Sequence, residues 1–398
     1  MPPTTQVLKC DPLSITFHPS SDQPSISSPE TIEALKIASH RLVDLAQTVV
    51  FPTETVYGLG ALSLDPRAAS KIFSAKGRPP DNPLIVHVSS FTMLHSLLPP
   101  DYVIPQLYQT LMKYFWPGAL TLLFPRNPSV VPTIITANQS TVAIRMPSHP
   151  VARALIAVAN APLAAPSANT SGKPSPTRAS HVLKDLDGKV SLILDGGPCE
   201  VGLESTVVDG LHADGNLRVL RPGGITIEDL ERVLIQDAKN GEQIPKVLVY
   251  TRDYADEAIE IAPTTPGMKY RHYSPSVPVI LLITRSDPSD NHRPVRFLEY
   301  VKSLRTNTRL KVGVLAPTDS VLWDHLPPVE NIDWNRYPLG PVTNPSVIAH
   351  RLFDGLLTLE QQGVHLMFIE EVGEEKEGLA IMNRVRKAAG ESISISFN

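Results

Sequence analysis

Residues 49–63 read VVFPTETVYGLGALS, and the point where the apolar run stops sets the character of the chain. Val49, Val50 and Phe51 are a short β-type run ending at Pro52, after which come Thr53, Glu54, Thr55 and Tyr57, then Gly58 and Gly60. Hydroxyls crowded at a strand end suit a ligand loop at least as well as a plain structural turn. The two glycines let backbone approach something closely and superficially suggest a dinucleotide fingerprint. That reading fails, because Ser63 replaces the third glycine and no long helix starts there.

The same kind of run recurs on both sides. Turn-bounded strands are expected at Thr48–Pro52, Leu84–Val88, Leu120–Phe124, Thr141–Met146, Ser191–Leu194, Thr206–Asp209 and Leu217–Leu220. A helix begins at Pro29-Glu30, with Ile32, Leu35, Ala38, Leu42 and Leu45 near a 3.6-residue spacing, and further helices fall near 66–76, 105–115, 150–160 and 226–236. Interleaved strands and helices predict one large α/β domain over 30–236. Residues 1–29 read as a flexible arm, and 237–276 as a polar linker or lid ending in PTTPGMKYRHYSP. From 277 to 398 the runs VPVILLI, KVGVLAP and HLMFIEEV alternate with helices at Val295–Leu304, Ser346–Gln361 and Gly378–Ala389. Three strands with crossover helices predict a small Rossmann-like parallel α/β domain.

Several strand ends carry cations and hydroxyls. In AKGRPPDNPLIVHV (75–88), Lys76 and Arg78 flank a glycine and three prolines follow. Such a pair is usually a solvated basic turn, but prolines 79, 80 and 83 stiffen it, and two cations on a rigid turn suit a polyphosphate. His87 lies in an apolar strand, where a lone histidine is more often a core residue. Arg145 ends the strand in TVAIRMPSHP (141–150), and burying it without an anionic partner is expensive. PLAAPSANTSGKPSPT (162–177) offers Ser167, Asn169, Thr170, Ser171 and Ser175 after an apolar lead-in. Ser205 and Thr206 follow Glu204 in a turn, and Arg221-Pro-Gly-Gly closes the domain. Polar groups at strand ends are where α/β folds bind ligands. No GxxxxGK[ST] loop, HExxH motif or nucleophile elbow occurs, so a nucleotide would be held by dispersed Lys, Arg and hydroxyls.

Composition narrows the class. The chain has 398 residues, 42% of them hydrophobic, which excludes wholesale disorder. Its formal net charge of −4 argues against binding nucleic acid by bulk charge. Cys10 and Cys199 alone cannot build a disulfide scaffold or a cysteine zinc site. The N-terminal stretch resembles neither a signal nor a transit peptide, and no apolar stretch would span a membrane. A cytoplasmic protein is expected, with a minor mitochondrial pool left open. Proline is the outlier: 39 residues, about twice the usual share, point to many pre-shaped loops.

The strings PTETVYGLG, KGRPPDNPL, PSAN, GLESTVVD and RPGGI, in this order, closely resemble the YrdC-like domain. With PGMKYRHYSP and GLAIMNRVRKAA, the chain from about 30 to 398 resembles the long, two-domain threonylcarbamoyl-AMP synthases. The resemblance implies a twisted mixed sheet with a concave cavity. It also implies a reaction in which L-threonine, bicarbonate or CO2, and ATP give threonylcarbamoyl-AMP and pyrophosphate, for tRNA modification. Carried over by motif, Lys76, Arg78, Asn82, Thr141, Ser167, Asn169, Ser175 and Arg221 are expected at ATP. Arg271, His272 and Tyr273 are expected in a lid over it. Thr55, His87, Arg145, Ser205 and the backbone at Ala165 are expected at threonine. Lys76 and Arg78 would stabilise charge during catalysis, and Mg2+ would arrive on the phosphates, with no metal ligands identified among the side chains. A downstream threonylcarbamoyl transferase complex and a weak tRNA contact are the expected macromolecular partners.

Two rivals share part of this pattern. A double-stranded RNA or tRNA-binding module would use a similar cavity, but the net charge and the lack of base-stacking aromatics near the basic motifs oppose it. Carbamoyl-phosphate-using hydrogenase-maturation relatives carry cysteine zinc motifs that two cysteines cannot supply.

Overall fold

The computed structural model describes residues 4–19, 21–239, 241, 243–256, 272–285, 294–304 and 308–397. The chain divides into two compact units, one of residues 1–171 with 175–270 and one of residues 172–174 with 271–398.

The first unit is built on a mixed sheet. Among the described residues it has eleven strands, in the spatial order Gln6–Lys9, Leu192–Asp195, Val49–Phe51, Gly58–Leu62, Leu163–Ala164, Ile85–His87, Thr141–Arg145, Leu120–Pro125, Thr206–Asp209, Leu217–Arg221 and Val247–Val249. The run after Pro52 turns back on itself, so Gly58–Leu62 pairs antiparallel with Val49–Phe51. Ile85–His87 and Thr141–Arg145 run parallel, while Leu120–Pro125 runs antiparallel to the latter. The helix Pro29–Val43 starts where Ser28 Oγ accepts the Thr31 N–H at 3.2 Å, an N-cap supported by proline at the first position. Its apolar stripe, Leu35, Ala38 and Leu42, packs with Val151 and Leu155 of the helix Pro150–Ala159 and with Val49, Phe51, Leu192 and Leu194 of the sheet. All nine are shielded from solvent, so this layer is the hydrophobic floor under the polar strand ends.

One helix end matters more than the rest. Pro66–Lys76 begins on an Asp65 cap and stops at Gly77, whose φ of +60° is the left-handed conformation glycine adopts without strain. The amides of Gly77 and Arg78 fold back onto Phe73 O. Lys76 therefore becomes the last helical residue, and Arg78 leaves in a new direction.

The second unit is an all-parallel sheet. Six strands are described, in the order Val295–Arg296, Glu391–Ser396, Val279–Ile283, Leu366–Glu370, Leu310–Ala316 and Ile332–Pro338. Leu282, Val312, Val314 and Phe368 form its core with Phe297 and Val301 of the helix Phe297–Ser303.

The structure corrects three expectations. The described part of residues 1–29 is not a loose arm: Gln6–Lys9 adds a parallel edge strand to Leu192–Asp195, and Ile15–Phe17 pairs antiparallel with Pro24–Ile26. A four-residue edge strand has too little alternation to be seen alone, and its partner lies far along the chain. The stretch assigned to the linker begins inside the first sheet, because Val247–Val249 pairs parallel with Leu217–Arg221. The second unit has more strands than the three expected, since Ile332–Pro338 and Glu391–Ser396 are half-exposed and polar. No helix among the described residues is long and apolar enough to cross a membrane.

Candidate active site

Strand register draws up the site. His87 lies opposite Arg145, Arg145 opposite Thr121, Thr121 opposite Val207, and Val207 opposite Arg221, a single row across five strands. Ser205, just before the fourth strand, joins the row: its hydroxyl and that of Thr121 are 2.8 Å apart. Arg221 Nη2 donates to Ser205 O at 2.9 Å. The turn at Arg221-Pro-Gly-Gly must pass close, for a Cβ on Gly223 would lie 2.3 Å from Glu204 O.

Arg145 is 3% exposed and is bonded once at each of its three nitrogens. Nε donates to Gly118 O at 3.0 Å, Nη1 to Thr55 Oγ1 at 2.9 Å, and Nη2 to Glu54 Oε1. Glu54 Oε2 accepts the Ser148 N–H at 3.2 Å. The hydroxyls behind this contact point one way. Thr53 donates to Val56 O at 2.6 Å, so at its 2.8 Å contact with Thr55 it must accept. Thr55 then gives its proton to Thr53 and keeps a lone pair for Arg145. His87 is 3% exposed, and burial, seconded by the Arg145 charge, lowers its pKa from the usual 6.5 to about 3. It is a neutral imidazole at physiological pH. Burial also lowers His149 to about 4 and raises the Cys199 thiol, which leaves that thiol inert.

The second cluster surrounds Lys76. Lys76 is 2% exposed, and its ammonium donates to the carbonyls of Ser167 and Asn169. Burial holds its pKa well below 10.5, Arg78 pushes it further down, and Asp185 and Glu204 pull it partly back. The helix end also favours a cation there. Arg78 Nη2 donates to Pro83 O at 2.9 Å and to Asn82 O at 3.3 Å, which closes the proline-stiffened turn over a buried Asn82. Asn169 Nδ2 donates to Thr170 O at 2.8 Å. Ser175 donates to Glu204 Oε1 at 2.6 Å. The two clusters are laced by backbone: Tyr57 N–H to Pro176 O at 2.9 Å, Leu59 N–H to Pro166 O at 2.8 Å, and Ala168 N–H to Tyr57 O at 2.8 Å. Ala165 N–H donates to Ile85 O at 3.0 Å, at the edge of the His87 strand.

The expected residues thus fall into groups. His87, Arg145 and Ser205 share the row with Arg221, and Thr55 reaches it through its bond to Arg145, while Lys76, Arg78, Asn82, Ser167 and Asn169 form the second cluster. Thr141 stands apart, at the far end of the strand from Arg145, roughly 13 Å along it. Its buried hydroxyl has no hydrogen-bond partner. Arg271 lies outside the described residues. His272 is described, and Tyr273 is 4% exposed, 5.2 Å from the Phe353 ring and 5.6 Å from the Arg384 guanidinium within the second unit. Sequence reasoning gave no role to Glu54 or Thr121. The signal for Glu54 was present, since a buried Arg145 requires an anion and Glu54 stands beside Thr55. Among the described residues, no group of three or more His, Cys, Asp or Glu could hold a metal ion.

Comparison with known proteins shows what the chain is similar to. A family model described as "Telomere recombination" matches residues 42–223, and one described as "Threonylcarbamoyl-AMP synthase, C-terminal domain" matches 225–390. The chain is 43% identical to a threonylcarbamoyl-AMP synthase of Schizosaccharomyces pombe, over 92% of this chain and 90% of that protein. It is 41% identical to the Pyrococcus abyssi enzyme of the same name, over 91% and 96%. Among solved structures, P. abyssi Sua5 complexed with L-threonine superposes with a TM-score of 0.74 at 36% identity, covering 98% of this chain and all of that one. The chain belongs to the threonylcarbamoyl-AMP synthase family.

Proposed function

We infer that this chain joins L-threonine, bicarbonate or CO2, and ATP into threonylcarbamoyl-AMP, with release of pyrophosphate, and that Lys76 serves the nucleotide while Arg145 serves the amino acid. The observation that carries the division is the contrast in what holds each cation. Lys76 sits on two carbonyls and, among the described residues, has no carboxylate bonded to it, so one of its three N–H groups remains for an anion. Arg145 keeps one N–H on each terminal nitrogen, the pair that a carboxylate accepts side by side.

In this reading Lys76, Arg78, Ser167 and Asn169 face the ATP phosphates, helped by Asn82, Thr141, Ser175 and Arg221, with Arg271, His272 and Tyr273 as the lid. Arg145 takes the threonine carboxylate, with Thr55, His87, Ser205 and the backbone at Ala165 around the rest of the amino acid. The threonine amine adds to CO2 and loses a proton, giving a carbamate. A carbamate oxygen attacks the α-phosphorus and the bond to the β-phosphate oxygen breaks. Charge on the departing pyrophosphate develops beside Lys76 and Arg78. Mg2+ would be carried in on the nucleotide phosphates and would neutralise their charge there, with Lys76 and Arg78 alongside. No side chain is placed as a covalent nucleophile, and positioning supplies the catalysis. The product is a mixed anhydride, to be consumed by a transferase acting on tRNA.

The test gives pure protein ATP, L-threonine and bicarbonate and looks for threonylcarbamoyl-AMP by mass spectrometry. Pyrophosphate release that ignores threonine overturns the reading.

A further inference from the structure

We propose that Glu54 is a positioning residue that sets the Arg145 guanidinium for the substrate carboxylate; the proposal rests on the assignment of Arg145 to threonine. Glu54 is 4% exposed and both its oxygens are taken, one by Arg145 Nη2 and the other by the Ser148 amide. A carboxylate fixed at both oxygens cannot turn away, so the nitrogen it holds cannot turn either.

Its own backbone is equally constrained. Val201 N–H donates to Glu54 O at 2.8 Å and Gly202 N–H to Thr55 O at 3.1 Å. On the other side, the Thr53 hydroxyl accepts the amides of Thr55 and Val56, each at 3.2 Å. Three acceptors of different kinds therefore grip Arg145: a backbone carbonyl at Nε, a hydroxyl at Nη1 and a carboxylate at Nη2. Of five N–H groups, three are occupied, leaving one on each terminal nitrogen. Which edge of the guanidinium faces the substrate is set by the direction of this grip. Glu54 thus completes a grip on all three nitrogens that fixes the guanidinium while leaving one N–H on each terminal nitrogen for the substrate carboxylate.

The experiment uses the full chain with E54D, E54Q and R145A, titrated calorimetrically with L-threonine and with L-threoninol, which lacks the carboxylate. ATP is titrated separately. E54D keeps the charge but draws the carboxylate back by one methylene. It is expected to weaken L-threonine binding about tenfold while leaving L-threoninol and ATP unchanged. E54Q moves the same ratio further. A folded E54D or E54Q that discriminates threonine from threoninol as the wild type does overturns the proposal. So does an E54D that cannot fold, because the residue would then serve the fold and not the fork. If R145A binds L-threonine normally, the assignment of Arg145 itself fails. If R145A loses the discrimination and E54D retains it, only the role of Glu54 fails.

Discussion

Arg145 and Lys76 are both buried cations in one unit, yet the protein treats them in opposite ways. Arg145 is matched by the carboxylate of Glu54, so its charge is neutralised before any substrate arrives. Lys76 is solvated by the carbonyls of Ser167 and Asn169, and its charge is softened by dipoles without being cancelled. Desolvation still holds its pKa down. The difference suits two kinds of anion. A single carboxylate needs directional recognition, which a gripped guanidinium supplies. A polyphosphate needs net positive charge, which an unmatched ammonium supplies.

The contrast makes opposite predictions for isosteric removal of each cation. R145M strands a buried Glu54 and should lower stability by about 3–5 kcal/mol in denaturant titrations, in addition to losing threonine binding. K76M strands two carbonyls but removes a costly buried charge, so its thermal midpoint should stay near that of the wild type. Its threonine-dependent pyrophosphate release should nevertheless fall by about 10²–10³-fold. Equal destabilisation by the two variants would erase the distinction.

A smaller effect concerns protons. His87 has its folded pKa below the unfolded value, so the unfolded chain binds more protons between about 6.5 and about 3. Its stabilising contribution is complete above pH 6.5 and is lost as pH falls through that window. By pH 5 the loss should be about 2 kcal/mol, and H87Q should flatten this part of the pH–stability curve. A slope unchanged by H87Q would mean that the proton is taken up elsewhere, with His149 the next candidate. Smallest of all, G77A should cost about 1 kcal/mol, because alanine resists the left-handed conformation at φ +60°. No atom crowds that position, so backbone strain is the whole effect. ATP affinity, measured by titration, should fall a few-fold as Lys76 and Arg78 shift relative to each other.

Much of the catalytic layer could be read from residues alone, since its strands are short apolar runs that end abruptly in hydroxyls and cations. The helix ending at Lys76 was legible for the same reason, with proline at its start and glycine after its end. The edge strands Gln6–Lys9, Val247–Val249 and Ile332–Pro338 were not. Edge strands bury one side or neither, so their alternation is weak, and only a distant partner makes them strands. The proline excess became partly intelligible, because prolines 79, 80 and 83 stiffen the turn closed by Arg78, and prolines 166 and 176 offer carbonyls to the loop after Pro52.

The residue types and their local order determined by themselves that this protein has hydroxyl-rich strand ends, no glycine-rich phosphate cradle, and cations at one strand end and one helix end. Only the tertiary structure decided what each cation already holds, a carboxylate at Arg145 and two carbonyls at Lys76. Pairing across the sheet brought Thr55 and Glu54 to Arg145 over a span of some ninety residues and brought two carbonyls to Lys76 over a similar one. Local sequence cannot encode such pairings, because they follow from strand register and not from neighbours along the chain.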